Sequence, residues 1–318
     1  MRPLRSAQTT ANVPPALGGL CSGSARHTRK ARRGRHRWWP FALPAFLLVC
    51  AFFLLPFLLN MRFAFTEWTG YAEDISWNGL DNLRSMADQG ILAGALEATL
   101  TYAVMAMIVQ NAFSLTLALA LQRSDRVNSV FRAVFFLPVL IAPVAAGYTW
   151  SAIVAPAGPL NRAIGLVVPG FDYAWLGHGF SALATTAFID AWKWSGLTTL
   201  VYIAGLNAIP RSVIESATVD GANAWQRFWR IRLRLLAPAF TFAIVVTLIG
   251  ALSAFDIIMA TTRGGPGDST TVLNIAVFTQ YGGGFFGTAS ALSLVVTALV
   301  AAIALPLIAF LRSREIEA

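Results

Sequence analysis

Seven polar or aromatic side chains that could contact a ligand stand in or beside otherwise apolar stretches of this sequence. Polar groups are costly in apolar surroundings, so each needs either a partner or a function. Amides offer donors and acceptors to hydroxyl groups, and indole rings stack on the apolar C–H faces of ring-shaped ligands. We therefore take as candidate ligand-contacting residues Gln110, Asn111, Asp190, Trp192, Lys193, Trp194 and Asp256.

The same side chains also have structural interpretations. Asp190 and Lys193 are three residues apart on one helical face, so they could simply form an ion pair. The two tryptophans could pack against neighbouring helices, and the adjacent amides could form hydrogen bonds between helices. Asp256 is expected near an outer boundary, where water lowers the cost of its charge. The sequence leaves these alternatives open.

Several kinds of chemistry are disfavoured. The histidines His27, His36 and His178 lack the spacing of metal ligands, and Cys21 and Cys50 form neither a metal site nor an expected disulfide. The chain contains no Gly-x4-Gly-Lys-Ser/Thr loop, the motif that holds nucleotide phosphates. Its acids are scattered, whereas an enzyme acting on lipid-linked substrates would need a cluster. We predict a chain without catalytic residues, metal or bound cofactor.

The elements that must position the candidate residues are six apolar runs. The chain has 318 residues, of which 56% are hydrophobic and only 12% charged, against about 25% in soluble domains. Each run is long enough to cross about 30 Å of hydrocarbon as a helix. We predict an all-α polytopic membrane protein with six transmembrane helices, at roughly 39–60, 96–121, 133–154, 182–205, 236–261 and 287–311.

The distribution of positive charge predicts the orientation. With the N-terminus inside, the inner segments hold 19 of the 24 Lys and Arg residues and the outer segments hold four. Inner loops of membrane proteins are enriched in these residues, so both termini should be cytoplasmic and the location the cell (inner or plasma) membrane. The net charge of +9 then follows from topology and needs no nucleic-acid partner.

Four segments follow from these boundaries. Residues 1–38 form a basic tail without acids, which we expect to be disordered and cytoplasmic. Residues 39–91 hold the first transmembrane helix and an outer loop. Residues 92–311 form the core with spans two to six, and residues 312–318 form a cytoplasmic C-terminus.

The inner loop between spans four and five predicts a helix-turn-helix at the membrane surface. Pro210 and Ser212 are helix-start residues, which would place Glu215 in the first turn, where a carboxylate favours the helix dipole. Asp220-Gly221 is a turn dipeptide. A second helix is expected at about 222–233, with aromatic and basic residues at the level of the lipid headgroups.

The order of residues in this loop resembles the EAA motif of permease subunits of binding-protein-dependent ABC importers. That pattern reads E-A-A-x-x-D-G-A, then six residues ending in Phe, then I-x-L-P. The matching residues are Glu215, Ala217, Asp220, Gly221, Ala222, Phe228, Ile231 and Leu233. Ser216 replaces the first alanine. Arg234 replaces a proline, so the end of the loop is expected to be less kinked.

The resemblance covers about residues 40–312. Within the family, the sequence is similar to the carbohydrate-uptake (maltose or glycerol-3-phosphate type) branch. This similarity rests on two runs, D-A-W-K-W at 190–194 and G-G-P at 264–266. The resemblance implies half of a translocation path for a sugar, oligosaccharide or glycerol-phosphate-type solute. The seven candidate residues would then lie along that path.

The resemblance also implies partners. These are a second permease subunit in a heterodimer, a dimer of ATP-binding subunits that holds ATP and Mg²⁺, and an extracytoplasmic solute-binding protein. The coupling contacts to the ATPase would be Glu215, Ser216, Ala217, Asp220, Gly221, Ala222 and Phe228. Glu215 could alternatively serve only to stabilise its own helix end.

The alternative function is a stand-alone secondary transporter or channel. Such proteins commonly show inverted internal repeats and paired helix interruptions. Neither is evident in this sequence, and the loop described above would then have no role.

Overall fold

The computed structural model describes the backbone of residues 39–71 and 75–313, and the side chains of this part from residue 42 onward. The predicted disorder of the tail at 1–38 lies outside the described residues. The chain divides into two compact units, Met1–Cys50 and Ala51–Ala318. Within the described part, all regular structure is helical, and β-pairing is limited to one isolated bridge between Thr66 and Trp77.

The described part of the first unit is an apolar helix, α1 (Trp39–Val49). A π-helical segment, π1 (Cys50–Leu54), comes next and is followed by α2 (Leu55–Phe63). Pro56 lacks the N–H group that would continue the regular hydrogen-bond ladder, which accounts for the wider turn just before it.

The rest of the second unit is built from thirteen further α-helices of very different lengths. The first six are α3 (Asp81–Asp88), α4 (Ile91–Leu121), α5 (Arg126–Leu140), α6 (Pro143–Ile153), α7 (Pro159–Gly165) and α8 (Gly179–Ala208). The next three are α9 (Arg211–Val219), α10 (Ala224–Gln226) and α11 (Leu233–Leu235), with the π-helical segment π2 (Arg227–Arg232) between the last two. The last four are α12 (Ala237–Leu252), α13 (Asp256–Thr261), α14 (Leu273–Gly282) and α15 (Phe286–Arg312).

By length and composition, the described residues contain three to six candidate membrane spans. Three helices are long and apolar enough on their own: Ala42–Phe63, Ile91–Leu121 and Phe286–Arg312. Three bent pairs qualify only together: α5 with α6 (100°), α8 with α9 (63°), and the helical stretch Ala224–Leu235 with α12 (66°).

The predictions of continuous helices at 133–154 and 236–261 are wrong. In the first, the backbone is extended at Ile141 and Ala142, since a residue that precedes proline avoids the helical region and Pro143 follows. In the second, α12 ends at Leu252 and α13 begins at Asp256. Phe255 lies between them with φ −148° and ψ −61°, outside the helical region.

Small side chains bring the long helices together. Ala98, Ala103 and Ala106 of α4 are buried in a cluster with Ala187 of α8 and Ala251 of α12. Without a strong hydrophobic force between apolar helices in lipid, such close approach supplies the packing energy. At Gly196 of α8, an added Cβ would lie 2.5 Å from the carbonyl oxygen of Phe135, so α5 and α8 are in backbone contact there.

Candidate functional site

A cavity of about 300 Å³ lies among α4, α8, α12 and α13, and we call it the first cavity. Four of the seven candidate ligand-contacting residues line it: Gln110, Asp190, Trp194 and Asp256. The remaining lining residues are Tyr102, Pro143, Leu197, Thr198, Val246, Thr247, Gly250, Ala251, Ser253, Ala254, Phe255 and Ile257. The break between α12 and α13 exposes its polar residues to this space.

Two acidic residues, Asp190 and Asp256, line the first cavity, and the Lys193 ammonium group interacts electrostatically with both. Asp190 has the Tyr102 hydroxyl, the Lys193 ammonium group and the Trp194 side chain as neighbours, and Asp256 is within electrostatic range. The Tyr102 hydroxyl is buried and makes no hydrogen bond of standard geometry. Two carboxylates line the cavity, and none of its described lining residues is Lys or Arg. An anionic ligand would therefore meet acidic side chains and no Lys or Arg among the described lining residues.

Lys193 points away from the first cavity. Its side chain is 1% exposed, and its Nζ atom donates a 3.3 Å hydrogen bond to the carbonyl oxygen of Val139 in α5. The same atom lies 4.1 Å from the ring centroid of Trp194. Asp190 and Lys193 interact electrostatically but do not form a close ion pair, because the ion pairing found among the described residues is confined to Arg84 and Asp81 at the surface.

Asn111 and Trp192 are also outside the first cavity. Nδ2 of Asn111 donates to the carbonyl oxygen of Met107, and its Oδ1 accepts a 2.6 Å hydrogen bond from the Tyr202 hydroxyl. Trp192 packs edge-on against Trp150, with ring centroids 5.3 Å apart. These two side chains therefore act in helix packing.

Sequence reasoning missed Tyr102, Thr247, Ser253 and Phe255 among the lining residues. The first two read as ordinary members of apolar runs, and single hydroxyl groups in such runs usually bond to their own helix. Thr247 does so through the Ala243 carbonyl oxygen. Ser253 and Phe255 are distinguished only by the break at 253–255, and composition does not reveal that break.

The segment after α8 forms the predicted helix, turn and second helix. Glu215 is exposed and is the fifth residue of α9, so its predicted place in the first turn is wrong: the helix begins directly after Pro210. A polar recess of about 480 Å³ is lined by Glu215 together with Arg211 and Arg232. Glu215 thus shares the recess with two cationic residues.

Hydrogen bonds fix the predicted turn at Asp220-Gly221. Gly221 has φ +79°, a conformation that favours glycine. Asn223 caps the next helix in a reciprocal capping box with Gln226. The guanidinium group of Arg227 donates to Thr218 Oγ1 (3.1 Å) and to the Ala222 carbonyl oxygen (2.9 Å). The two helices are therefore tied across the turn.

The second helical stretch runs over Ala224–Leu235 and includes π2. Trp225 and Trp229 are 69% and 48% exposed, whereas Phe228 is half-buried and packs edge-on against Trp229. The helix continues through Arg234, and the expectation of a less kinked loop end stays a prediction. The 66° bend follows at Leu236 instead.

Comparison with known proteins identifies the family. Residues 38–314 match the family described as binding-protein-dependent transport system inner membrane component. The multiple sugar-binding transport system permease protein MsmF of Streptococcus mutans is 26% identical, over 82% of this chain and 90% of its own. The trehalose/maltose transport system permease protein MalF of Thermococcus litoralis is 29% identical, over 81% and 88%.

A solved structure shares the fold. The bacterial ABC transporter involved in the import of the acidic polysaccharide alginate contains a chain that aligns with a TM-score of 0.75 and 21% identity, over 86% of this chain and 94% of that one. The relatives are permease proteins, and the described helices are apolar enough to span a membrane. The chain therefore belongs to the multi-pass inner membrane components of binding-protein-dependent transport systems.

Proposed function

We propose that this chain is one of two permease subunits of an ATP-driven importer, and that it forms half of the path for a neutral sugar or oligosaccharide. The observation that carries the proposal is the first cavity, where Gln110 and Trp194 offer an amide and an indole ring beside two carboxylates. The sugar-transporting relatives support the solute class. The absence of Lys and Arg among the lining residues argues against anionic solutes, including glycerol-phosphate-type ones.

The proposed topology has six spans with both termini in the cytoplasm. It counts α1 to α2, α4, α5 with α6, α8, α12 and α15 as the spans. The concentration of Lys and Arg in the inner segments supports this orientation. The segment from α9 to α11 then lies on the cytoplasmic side, between spans four and five.

We assign coupling to that segment. The tie between its two helices supports transmission of motion, since a rigid element docked on a partner moves as one body with it. Glu215, Ser216, Asp220 and Gly221 are exposed and available for contact. Ala217 is buried, and Ala222 and Phe228 are half-buried; these three maintain the shape of the segment.

The partners in this proposal are a second permease subunit, a pair of ATP-binding subunits and an extracytoplasmic binding protein. ATP and Mg²⁺ are held by the ATP-binding subunits. A solved complex of the alginate transporter with its pentasaccharide-bound periplasmic protein supports the arrangement through a shared fold. Because the binding protein captures the solute first, solute choice rests on both proteins.

Reconstitution of the complete complex in proteoliposomes tests the proposal. ATP-dependent uptake is measured for neutral sugars, uronic acid oligomers and glycerophosphodiesters, each delivered by the cognate binding protein. We expect uptake of neutral carbohydrate only, and none without the ATP-binding subunits. Uptake by this chain alone, or preferred uptake of an anionic solute, would contradict it.

A further inference from the structure

A second cavity, of about 540 Å³, lies in the same compact unit among α2, α14 and α15. Three helix faces supply most of its lining. Asn60 is on α2, Asn274 and Phe278 are on α14, and Ser290 is on α15. Phe255 lines this cavity and also the first cavity, so one side chain stands between the two spaces.

The polar side chains of the second cavity have no internal partners. Asn60, Asn274, Ser290 and Ser293 line it, and none of these four side chains forms a hydrogen bond with another described residue. All four residues are half-buried, so an apolar occupant that displaced water from their polar groups would cost free energy. These groups are therefore suited to a ligand that brings its own donors and acceptors.

Aromatic rings form most of the remaining wall. Trp68 and Tyr281 both pack against Phe286, with ring centroids 5.3 Å and 4.9 Å apart. Phe278 packs against Phe255 at 5.4 Å. No Asp, Glu, Lys, Arg or His is among the described lining residues. Ring faces combined with unpaired amides and hydroxyls, and without charge, fit the apolar faces and hydroxyl edges of a neutral sugar ring.

Phe255 is placed to separate or join the two cavities. It occupies the non-helical position between α12 and α13, where its carbonyl oxygen accepts a 2.8 Å hydrogen bond from the Met259 N–H group. Each cavity falls within the range of about 300–1,000 Å³ that is common for small-molecule sites. A ligand longer than one ring could reach both cavities past this single side chain.

We propose that the second cavity is a subsite for a neutral sugar unit, continuous with the first cavity past Phe255, so that the carried solute is an oligosaccharide. The inference rests on the proposed function and adds the length of the solute to it. An acyl chain of a lipid is the competing occupant. It would leave the four polar side chains without partners, which favours the sugar.

The test uses the complete reconstituted complex with its binding protein. Uptake is measured for ladders of neutral α- and β-linked hexose oligomers, from the single unit to the hexamer. The variants are Asn274→Ala and Phe278→Ala. The control is Phe242→Ala, a 56% exposed phenylalanine of α12 that lines neither cavity.

We expect the apparent KM for the longer oligomers to rise about tenfold in each variant, which corresponds to one lost contact of about 1.4 kcal/mol. Uptake of single units should stay within about twofold of wild type, as should all uptake by Phe242→Ala. If the complex with Phe278→Ala fails to assemble, the test uses Phe278→Leu and Asn274→Ala.

Three results would overturn the subsite: equal losses at every oligomer length, no loss in either variant, or wild-type uptake restricted to single units. Effects that follow the acyl-chain length of the liposome and not the oligomer length would assign the cavity to lipid. A complex that imports no carbohydrate at all would instead overturn the proposed function, so the two failures are distinguishable.

Discussion

The side-chain amide of Gln110 donates a 2.6 Å hydrogen bond to the hydroxyl of Thr198, and this bond joins α4 to α8 beside the first cavity. Three further bonds join the same helices: Tyr202 to Asn111, Ser114 to the Ser195 carbonyl oxygen, and Thr199 to the Ser114 carbonyl oxygen. Polar contacts between helices in a membrane are individually modest, but several of them fix the register of the pair. One wall of the cavity is thereby held in place.

Breaking the Gln110–Thr198 bond from one side should destabilise the protein. We expect Thr198→Val to lower the free energy of unfolding by about 0.6–1.7 kcal/mol, since the buried amide loses its partner. Gln110→Leu combined with Thr198→Val should recover part of that loss. Thermal unfolding of the purified complex measures the stability of the single and the double variant. Additive losses of stability in the double variant would contradict a direct interaction between Gln110 and Thr198.

Replacing Glu215 tests the coupling assignment. Glu215→Ala should weaken docking of the ATP-binding subunits by about tenfold or more, because the loss of a charged contact at a protein interface leaves its partner charge unpaired. Uptake should fall with it while membrane insertion stays normal. Glu97→Ala, an exposed glutamate of α4 outside this segment, is the control. Normal uptake and assembly in Glu215→Ala would remove the residue from coupling.

The effect of a substitution at Gly221 should depend on the backbone conformation and not on the room for a side chain. An added Cβ meets nothing within 4 Å, but φ is +79°, so Gly221→Ala should cost about 1–2 kcal/mol locally. Gly221→Asn should cost less, because asparagine tolerates this region better. Affinity for the ATP-binding subunits reports the difference. Equal affinities for the two variants would show that the turn conformation does not matter for docking.

Gly196 should be intolerant of a side chain. A methyl group there meets the backbone of α5, 2.5 Å from the Phe135 carbonyl oxygen and 2.9 Å from the Phe136 Cα atom. We expect Gly196→Ala to destabilise the complex by about 1–3 kcal/mol, since α5 and α8 must separate. Gly94→Ala on α4, where an added Cβ meets nothing within 4 Å, should be neutral or stabilising. Similar melting temperatures for both variants would refute the contact.

The sequence predicted the helical class and the general location of the apolar stretches, because hydropathy reports burial in lipid directly. It missed the breaks at 141–142 and 253–255. Pro143 was visible as a cause of the first, whereas the dihedral angles of Phe255 depend on packing that no local pattern encodes. Helix α14, which supplies one wall of the second cavity, lies in a stretch that the sequence treated only as a connection.

Some candidate ligand-contacting residues line the first cavity and others do not, for a similar reason. Gln110 lines the first cavity and the adjacent Asn111 does not; Trp194 lines it and Lys193 does not. Successive residues on a helix point about 100° apart, so adjacent polar residues cannot all face the same space. Which of them faces the cavity is decided by the packing of α4 against α8, and that is a property of the assembled helices.

The neutral solute proposed for the first cavity has an electrical consequence. Its passage does no work against the membrane potential, whereas each elementary charge would exchange about 2.3 kcal/mol per 100 mV. Accumulation should therefore depend on the free energy of ATP hydrolysis alone. Cells with a collapsed membrane potential but normal ATP would then concentrate the solute to the same extent as energised ones.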